Sequence, residues 1–368
     1  MTLPILQFGT GRFLQAHVDF FVSEALTRNE AIGRIAVVQT SDSPQGKARA
    51  AAFNRQGGFP VHIRGLQNGQ SVDRVVTVDS IGHASIAADD WPKVVDRFVA
   101  ETKVVVSNTA DRGYELTDDD RPENLPNVSF PAKLTALLRA RFHAGASPLS
   151  LIPCELISGN ASILRDLVLG IAARWGEGAG FREFVTDGCV WANSLVDRIV
   201  AEPLEPLGAV AEPYAIWAIE DRPGLAVPCR HPDVVVTDDL QRYERLKLHI
   251  LNLGHTYLAD IWLTEHRRDD EIVLEMMNDP AVRPSLDTLY DDEVLPIFDA
   301  IGLGNAAPVY RDSVIERFSN PYLKHRVRDI AGNHATKKQR RIGRLLELAV
   351  AAGAKGPFPR LTALVQGG

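Results

Sequence analysis

The sequence predicts an α/β domain over residues 1–240 followed by an all-helical domain over 241–368. Short apolar runs alternate with amphipathic stretches through the first part, the pattern of a mostly parallel sheet flanked by helices. A Gly9-Thr10-Gly11 segment separates the first apolar run from the first helical stretch. From Asp239 onward almost only helical periodicity remains. At 368 residues the chain is long for one core, which agrees with two domains.

Residues 3–8 form the first predicted strand, and Arg12 to about Leu26 the first helix. Residues 34–40 are a second buried strand, with a helix starting near Gly46 behind it. Residues 60–66 and 73–80 alternate apolar and polar side chains and predict an inserted antiparallel pair. There follow an amphipathic helix (90–100), a strand (103–108), a helix (131–143), a strand (149–155) and a helix (161–175). Residues 214–219 and 233–238 predict two strands around a Pro/Gly-rich turn. Residues 243–262 open the helical domain, with Asp238 or Asp239 as the N-cap.

Hydrophobic residues are 45% and charged residues 24%, the balance of an ordinary globular protein. A net charge of −7 argues against a nucleic-acid partner. The basic run Lys337-Lys338-Gln339-Arg340-Arg341 is read as a solvated helix face. Cys154, Cys189 and Cys229 are far apart and lack CxxC pairing, against a disulfide framework or zinc site and in keeping with a reducing cytoplasm. No apolar run approaches the roughly 20 residues of a membrane span, and no signal peptide is visible. Neither a membrane partner nor a metal is expected, and the oligomeric state is left open.

Gly9-Thr10-Gly11 follows a strand and opens a helix. The first glycine permits a tight turn, the second lets backbone approach a pyrophosphate, and the helix start supplies free N–H groups. Leu14 stands where a GxGxxG fingerprint has its third glycine. The position in the first βα unit favours a dinucleotide over a purely structural turn. At the end of the second strand, Asp42 can accept from the ribose hydroxyls of NAD, whereas Lys47 or Arg49 would meet the 2′-phosphate of NADP. The acid gives NAD the preference. Asn108 and Thr109 follow the 103–108 strand, and Glu155 follows the next, at the sheet edge where ligands bind.

The helix over 243–262 sets Lys247, Asn252 and His255 among apolar residues, with Gly254 interrupting it. On an α-helix Asn252 lies about 140° and His255 about 80° around from Lys247. A buried unpaired ammonium is costly, so Lys247 either snorkels to water or lines a cavity. In a cavity, a lysine of lowered pKa serves as general base, an asparagine NH₂ stabilises a developing alkoxide, and a histidine orients the same oxygen.

Lys-x4-Asn-x2-His, as Lys247, Asn252 and His255, resembles the signature of the mannitol dehydrogenase family, the polyol-specific long-chain dehydrogenases. The stretches QFGTGRFLQA, LIPCELISGNASILRDLVL, NSLVDRIV and RFSNPYLKH support the resemblance, which runs nearly end to end. Within the family the chain is most similar to the members that reduce keto-hexuronates. The family's glycine motif is GxGxF, which accounts for Phe13 and Leu14 and includes Arg12 at its variable position. The resemblance implies a Rossmann-type dinucleotide-binding domain, a helical catalytic domain, and a metal-independent secondary-alcohol dehydrogenase. It implies Lys247 as catalytic acid/base, Asn252 and Asn193 as an oxyanion pair, and His255 as a substrate holder. Arg317, Lys324 and His325 are expected to bind a substrate carboxylate. The expected substrate is a sugar acid or polyol, with reduction of a keto-hexuronate to its aldonate favoured. The rivals are a polyol or polyol-phosphate dehydrogenase and a non-catalytic dinucleotide-binding sensor.

Overall fold

The computed structural model describes residues 2–55, 57–109 and 113–367. The chain forms two compact units, and the division does not follow one cut in the sequence. The first comprises Met1–His62, Val75–Ala211 and Ala215–Leu240; the second comprises Ile63–Arg74, Glu212–Tyr214 and Gln241–Gly368.

In the first unit, β1 (Ile5–Phe8) leads through α1 (Arg12–Gln15) and α2 (Val18–Thr27) to β2 (Ile35–Gln39) and α3 (Pro44–Phe53). A hairpin, β3 (Phe59–Gln67) and β4 (Gln70–Val78), precedes β5 (Ile81–Ile86) and α4 (Ala87–Ala100). Then come β6 (Val104–Ser107), α5 (Phe130–His143), β7 (Ser150–Pro153), α6 (Asn160–Arg174) and β8 (Val190–Trp191). Six strands form a parallel sheet of order β5-β2-β1-β6-β7-β8. The chain winds outward from β1 and then returns to its other side at β6, so the switch point lies between β1 and β6, where open α/β sheets bind ligands. Every residue of β1, β2, β6 and β7 is buried, as expected of strands covered on both faces. Phe8, Val38, Val105 and Leu151 from the sheet share one core with Leu134, Leu138 and Leu164 from the helices.

The structure adds to the sequence reading at three places. The first helix is two, because His17 leaves helical geometry at φ −130°, ψ −91°. Its Nε2 lies 3.0 Å from the Ile216 carbonyl, and Arg198 donates to the Ala16 carbonyl at 2.7 Å. Those partners lie far along the chain, out of reach of local periodicity. The two strands β12 (Ile216–Glu220) and β13 (Val234–Thr237) pair in parallel, while β12 pairs antiparallel with β9 (Ser194–Asp197). The strands β5, β8 and β9 and a short pair, β10 (Val200–Pro203) with β11 (Ala209–Ala211), were not anticipated.

The inserted hairpin is present, turned at Asn68 and Gly69 with φ +52° and +73°. Two consecutive positive φ angles define the turn that matches strand twist, and Asn-Gly is the pair that adopts it most readily. Its tip belongs to the second unit, where Glu316 accepts from the amides of Asn68 (3.2 Å) and Gly69. The rest of that unit is helical, packed around Leu251, Leu258, Leu286, Tyr290, Phe298, Val314, Phe318 and Ile342.

Candidate active site

In the first unit, β1 ends at the glycine segment. Gly9 has φ +117°, and a Cβ there would lie 2.6 Å from the Asn108 carbonyl oxygen. Only glycine satisfies both the backbone angle and the approach of β1 to the end of β6. Gly11 differs: it is exposed, and a Cβ there would meet nothing within 4 Å. The space before it is therefore open, as a pyrophosphate cradle requires. Arg12 is exposed and Phe13 half-buried, its ring stacked 4.8 Å from that of His17.

Thr10 is buried and fixes the loop. Its hydroxyl donates to Gln39 Oε1 at 2.6 Å and accepts from Arg49 Nε at 3.2 Å, while Gln15 donates to its carbonyl at 2.9 Å. Gln39 also donates to Ser41 Oγ at 2.7 Å, which ties the glycine loop to the end of β2. The sequence reading missed Gln15 and Gln39, whose role depends on the β1–β2 pairing. Asp42 is exposed and pairs with Lys47 at 2.5 Å. Among the described residues, Arg49 is held by Thr10 through its Nε alone.

Glu155, 4% exposed, gathers the ends of β6 and β7. Ser107 Oγ, Thr109 N and Thr109 Oγ1 each donate to it at 3.0 Å, and Tyr114 Oη at 3.2 Å. Burial pushes its pKa above the usual carboxylate range, while the Ser107 and Thr109 bonds pull the other way. Asn108 donates to the Cys154 carbonyl at 2.7 Å. Glu155, Asn108 and Thr109 thus form one network that shapes the loop at the switch point.

Asn193 lies against the start of α6. Its Oδ1 accepts from the amides of Ala161 (3.0 Å) and Ser162 (3.1 Å), capping the first turn of α6. Its Nδ2 donates to Glu220 at 2.9 Å and to Ser162 Oγ at 3.3 Å. Both ends of the amide are engaged in holding the fold.

In the second unit the helix over 240–264 is interrupted by a π turn, Lys247–Leu251. Such wide turns are rare and cluster at functional sites. One extra residue in the turn rotates everything after it by about 100° relative to an α-helix. Asn252 then stands about 40° from Lys247 and His255 about 20° on its other side. The three residues predicted from sequence share a narrower stripe than α geometry gives them. Lys247 and Asn252 are half-buried and His255 is buried. The His255 ring stacks on Phe318 at 4.4 Å and meets His325 edge-on at 5.0 Å. Burial lowers the His325 pKa below the usual imidazole range.

Gly254 has a separate explanation. A Cβ there would lie 2.0 Å from Tyr290 Oη, which donates to the Ile250 carbonyl at 2.8 Å. Glycine makes room for a tyrosine that holds the turn.

Arg317 is not presented to a ligand. It is 5% exposed, and its Nε donates to both Glu212 oxygens at 3.1 and 3.0 Å, with Nη2 2.8 Å from Oε1. Its guanidinium also lies 4.3 Å from the Tyr214 ring centroid. The expected carboxylate clamp is therefore an internal ion pair, because Glu212 joins this unit from a distant part of the chain. Lys324 is exposed. Among the described residues no group of three His, Cys, Asp or Glu side chains could hold a metal ion. No described helix is long and apolar enough to cross a membrane.

A parallel sheet with a glycine segment at its switch point, and a helical unit carrying Lys247, Asn252 and His255, are features expected of a dinucleotide-dependent dehydrogenase. The Mannitol dehydrogenase Rossmann domain description matches residues 3–228, and the Mannitol dehydrogenase C-terminal domain description matches 239–367. The chain belongs to the mannitol dehydrogenase family and is an oxidoreductase of the CH–OH group. It is 32% identical to an altronate oxidoreductase of Bacillus subtilis (strain 168), over 95% of this chain and 76% of that protein. An altronate oxidoreductase of Escherichia coli O139:H28 is 31% identical, over 97% of this chain and 77% of that one. In fold it is similar to a D-sorbitol dehydrogenase crystal structure (TM-score 0.81, 22% identity, 96% of this chain and 78% of that one). It is also similar to Pseudomonas fluorescens mannitol 2-dehydrogenase, solved with NAD and D-mannitol (TM-score 0.74, 21% identity, 99% and 78%).

Proposed function

We propose that the protein is an NAD-dependent, metal-independent dehydrogenase that interconverts a keto-hexuronate, such as tagaturonate, and its aldonate. The observation that carries this reading is the π turn aligning Lys247, Asn252 and His255. Bound NADH would supply the hydride for the substrate carbonyl carbon. Protonated Lys247 gives its proton to the oxygen as charge builds there, and neutral Lys247 removes it in the reverse direction. The Asn252 amide donates a hydrogen bond to that oxygen, and His255 orients it. The open space before Gly11 fits a pyrophosphate, and the Thr10–Gln39 bond holds the loop in the shape that leaves it open. NAD is favoured over NADP because Asp42 follows β2, where its carboxylate would repel a 2′-phosphate, and Lys47 pairs with it.

The sugar-acid substrate is supported by the relatives at 31–32% identity, which are named altronate oxidoreductases. Arg317 gives it no support, since Glu212 neutralises it. Lys324 and His325 remain the candidates for a substrate carboxylate. The test is initial-rate oxidation of NADH and NADPH against tagaturonate, fructuronate, fructose and fructose 6-phosphate. The highest kcat/KM is expected with NADH and a keto-uronate. A higher value with fructose or its phosphate would favour the polyol reading, and no turnover with any of them would favour a non-catalytic sensor.

A further inference from the structure

The basic run Lys337–Arg341, expected to be a solvated face, turns partly inward. Lys338 is 4% exposed and donates to the Gly367 carbonyl at 2.6 Å and to Asp260 at 3.3 Å. Arg341 is half-buried within a second π turn, Gln339–Gly343.

That turn clasps the one carrying Lys247. His249 Nδ1, 2.7 Å from the Arg341 carbonyl, must be its protonated nitrogen, since a carbonyl only accepts. In the other direction, Arg341 Nη1 donates to the Asn252 carbonyl at 3.2 Å and to Thr256 Oγ1 at 2.9 Å. Thr256 Oγ1 in turn donates to the same Asn252 carbonyl at 3.0 Å. A third π turn, Tyr290–Val294, contributes the Tyr290 bond to the Ile250 carbonyl. Both of these turns, two of four π turns among the described residues, therefore bond backbone carbonyls of the Lys247 turn region, at Ile250 and Asn252.

Arg341 contrasts with Arg317. Arg317 is buried against a carboxylate, an ordinary structural arrangement. The hydrogen-bond partners of Arg341 among the described residues are two neutral oxygens, and no carboxylate pairs with it. Burial draws its pKa down to about 10, with Arg340 adding to the effect. A cation taken from water without a counter-charge is a cost to the fold. What it gains is contact with the backbone oxygen of Asn252.

We propose that Arg341 is a positioning residue, which with Thr256 and His249 holds the wide turn so that Lys247 and Asn252 address one substrate oxygen. This rests on the acid/base reading of Lys247 given above. If the turn relaxed to α geometry, Asn252 and His255 would swing by about 100° from their present bearings on Lys247.

The experiment compares Arg341→Met, Arg341→Lys and Thr256→Val with wild type, and uses Lys247→Ala as the reference. Measured are kcat, KM, the isotope effect with NADH deuterated at the transferred C4 position, NADH affinity by fluorescence, and thermal melting. Arg341→Met should lose about ten- to a hundredfold in kcat, the scale on which misplacement of about 1 Å acts. Its isotope effect should rise while NADH affinity stays unchanged. Arg341→Lys should recover most of the rate, and Thr256→Val should fall between. Wild-type kcat in Arg341→Met, with Lys247→Ala inactive, overturns the proposal and leaves the active-site reading intact. If Arg341→Met does not fold, Thr256→Val decides, and an unchanged kcat there also overturns it. Near-normal turnover in Lys247→Ala instead removes the reading on which the proposal rests.

Discussion

The backbone N–H of Asn252 donates to the carbonyl oxygen of Lys247 across the wide turn. The two residues that carry the proposed chemistry are thus joined through their own main chain, and neither moves without the other. Lys247→Ala should lower kcat by about 10²–10⁴-fold with NADH affinity unchanged. Asn252→Ala should lower it by about 10²–10³-fold. Because both act on one oxygen, the double variant should lose far less than the product of the two. Steady-state kinetics on the three variants checks this, and multiplicative losses would mean that they serve separate steps.

The two glycines of the cofactor loop should respond in opposite ways. Gly9→Ala adds a Cβ 2.6 Å from a backbone oxygen at φ +117°, so it should lower the melting temperature. Gly11→Val meets no protein atom within 4 Å of the new Cβ and should melt like wild type. It should nevertheless lose NADH binding, read by fluorescence titration, because the side chain fills the cradle. Undiminished affinity in a folded Gly11→Val would falsify the placement of the pyrophosphate.

Gly254→Ala improves helix propensity by about 1 kcal/mol, and that alone would stabilise the protein. The structure predicts the reverse. The methyl group displaces Tyr290 Oη from the Ile250 carbonyl, and an orphaned buried hydroxyl costs about 1–3 kcal/mol. Adding Tyr290→Phe removes the clashing atom, so the double variant should be more stable than Gly254→Ala alone. Denaturant melts of the singles and the double measure this coupling, and simple additivity would sink the account.

Asp19 on α2 is fully buried, and neither of its carboxylate oxygens has a hydrogen-bond partner among the described residues. Burial pushes its pKa up to about 7, with the Gln7 side chain pulling the other way. Between the unfolded value of 3.8 and the folded value near 7, the native state holds a proton that the unfolded chain has released. Stability from this group is complete below the unfolded value and is lost as pH rises towards 7, by about 1.4 kcal/mol per unit. Asp19→Asn should flatten that slope and raise the melting temperature at pH 8. A wild-type slope in the variant would show that another group titrates.

How much of this was legible in the sequence follows from the range of each interaction. The β1–loop–helix unit and the alternation of strands and helices were legible because their signals are local. So were Lys247, Asn252 and His255 as residue types. Their alignment was not, since α periodicity gives no warning of a π turn held by Tyr290 and Arg341. The capping role of Asn193 depends on α6, some 30 residues earlier, with Ala161 at a separation of 32. Arg317 looked free because its partner, Glu212, lies 105 residues away in sequence. The solvated face read into Lys337–Arg341 failed for the same reason.

The second unit is stitched from three lengths of chain, Ile63–Arg74, Glu212–Tyr214 and Gln241–Gly368. The familiar engineering move of cutting at residue 240 and transplanting the helical half onto another nucleotide domain would therefore fail for this protein. A fragment 241–368 would carry Arg317 without the Glu212 carboxylate that it pairs with, and breaking a buried pair costs about 3–5 kcal/mol. It would also lack the hairpin tip that Glu316 grips. Recombination between relatives should succeed only where donor and recipient exchange all three lengths together.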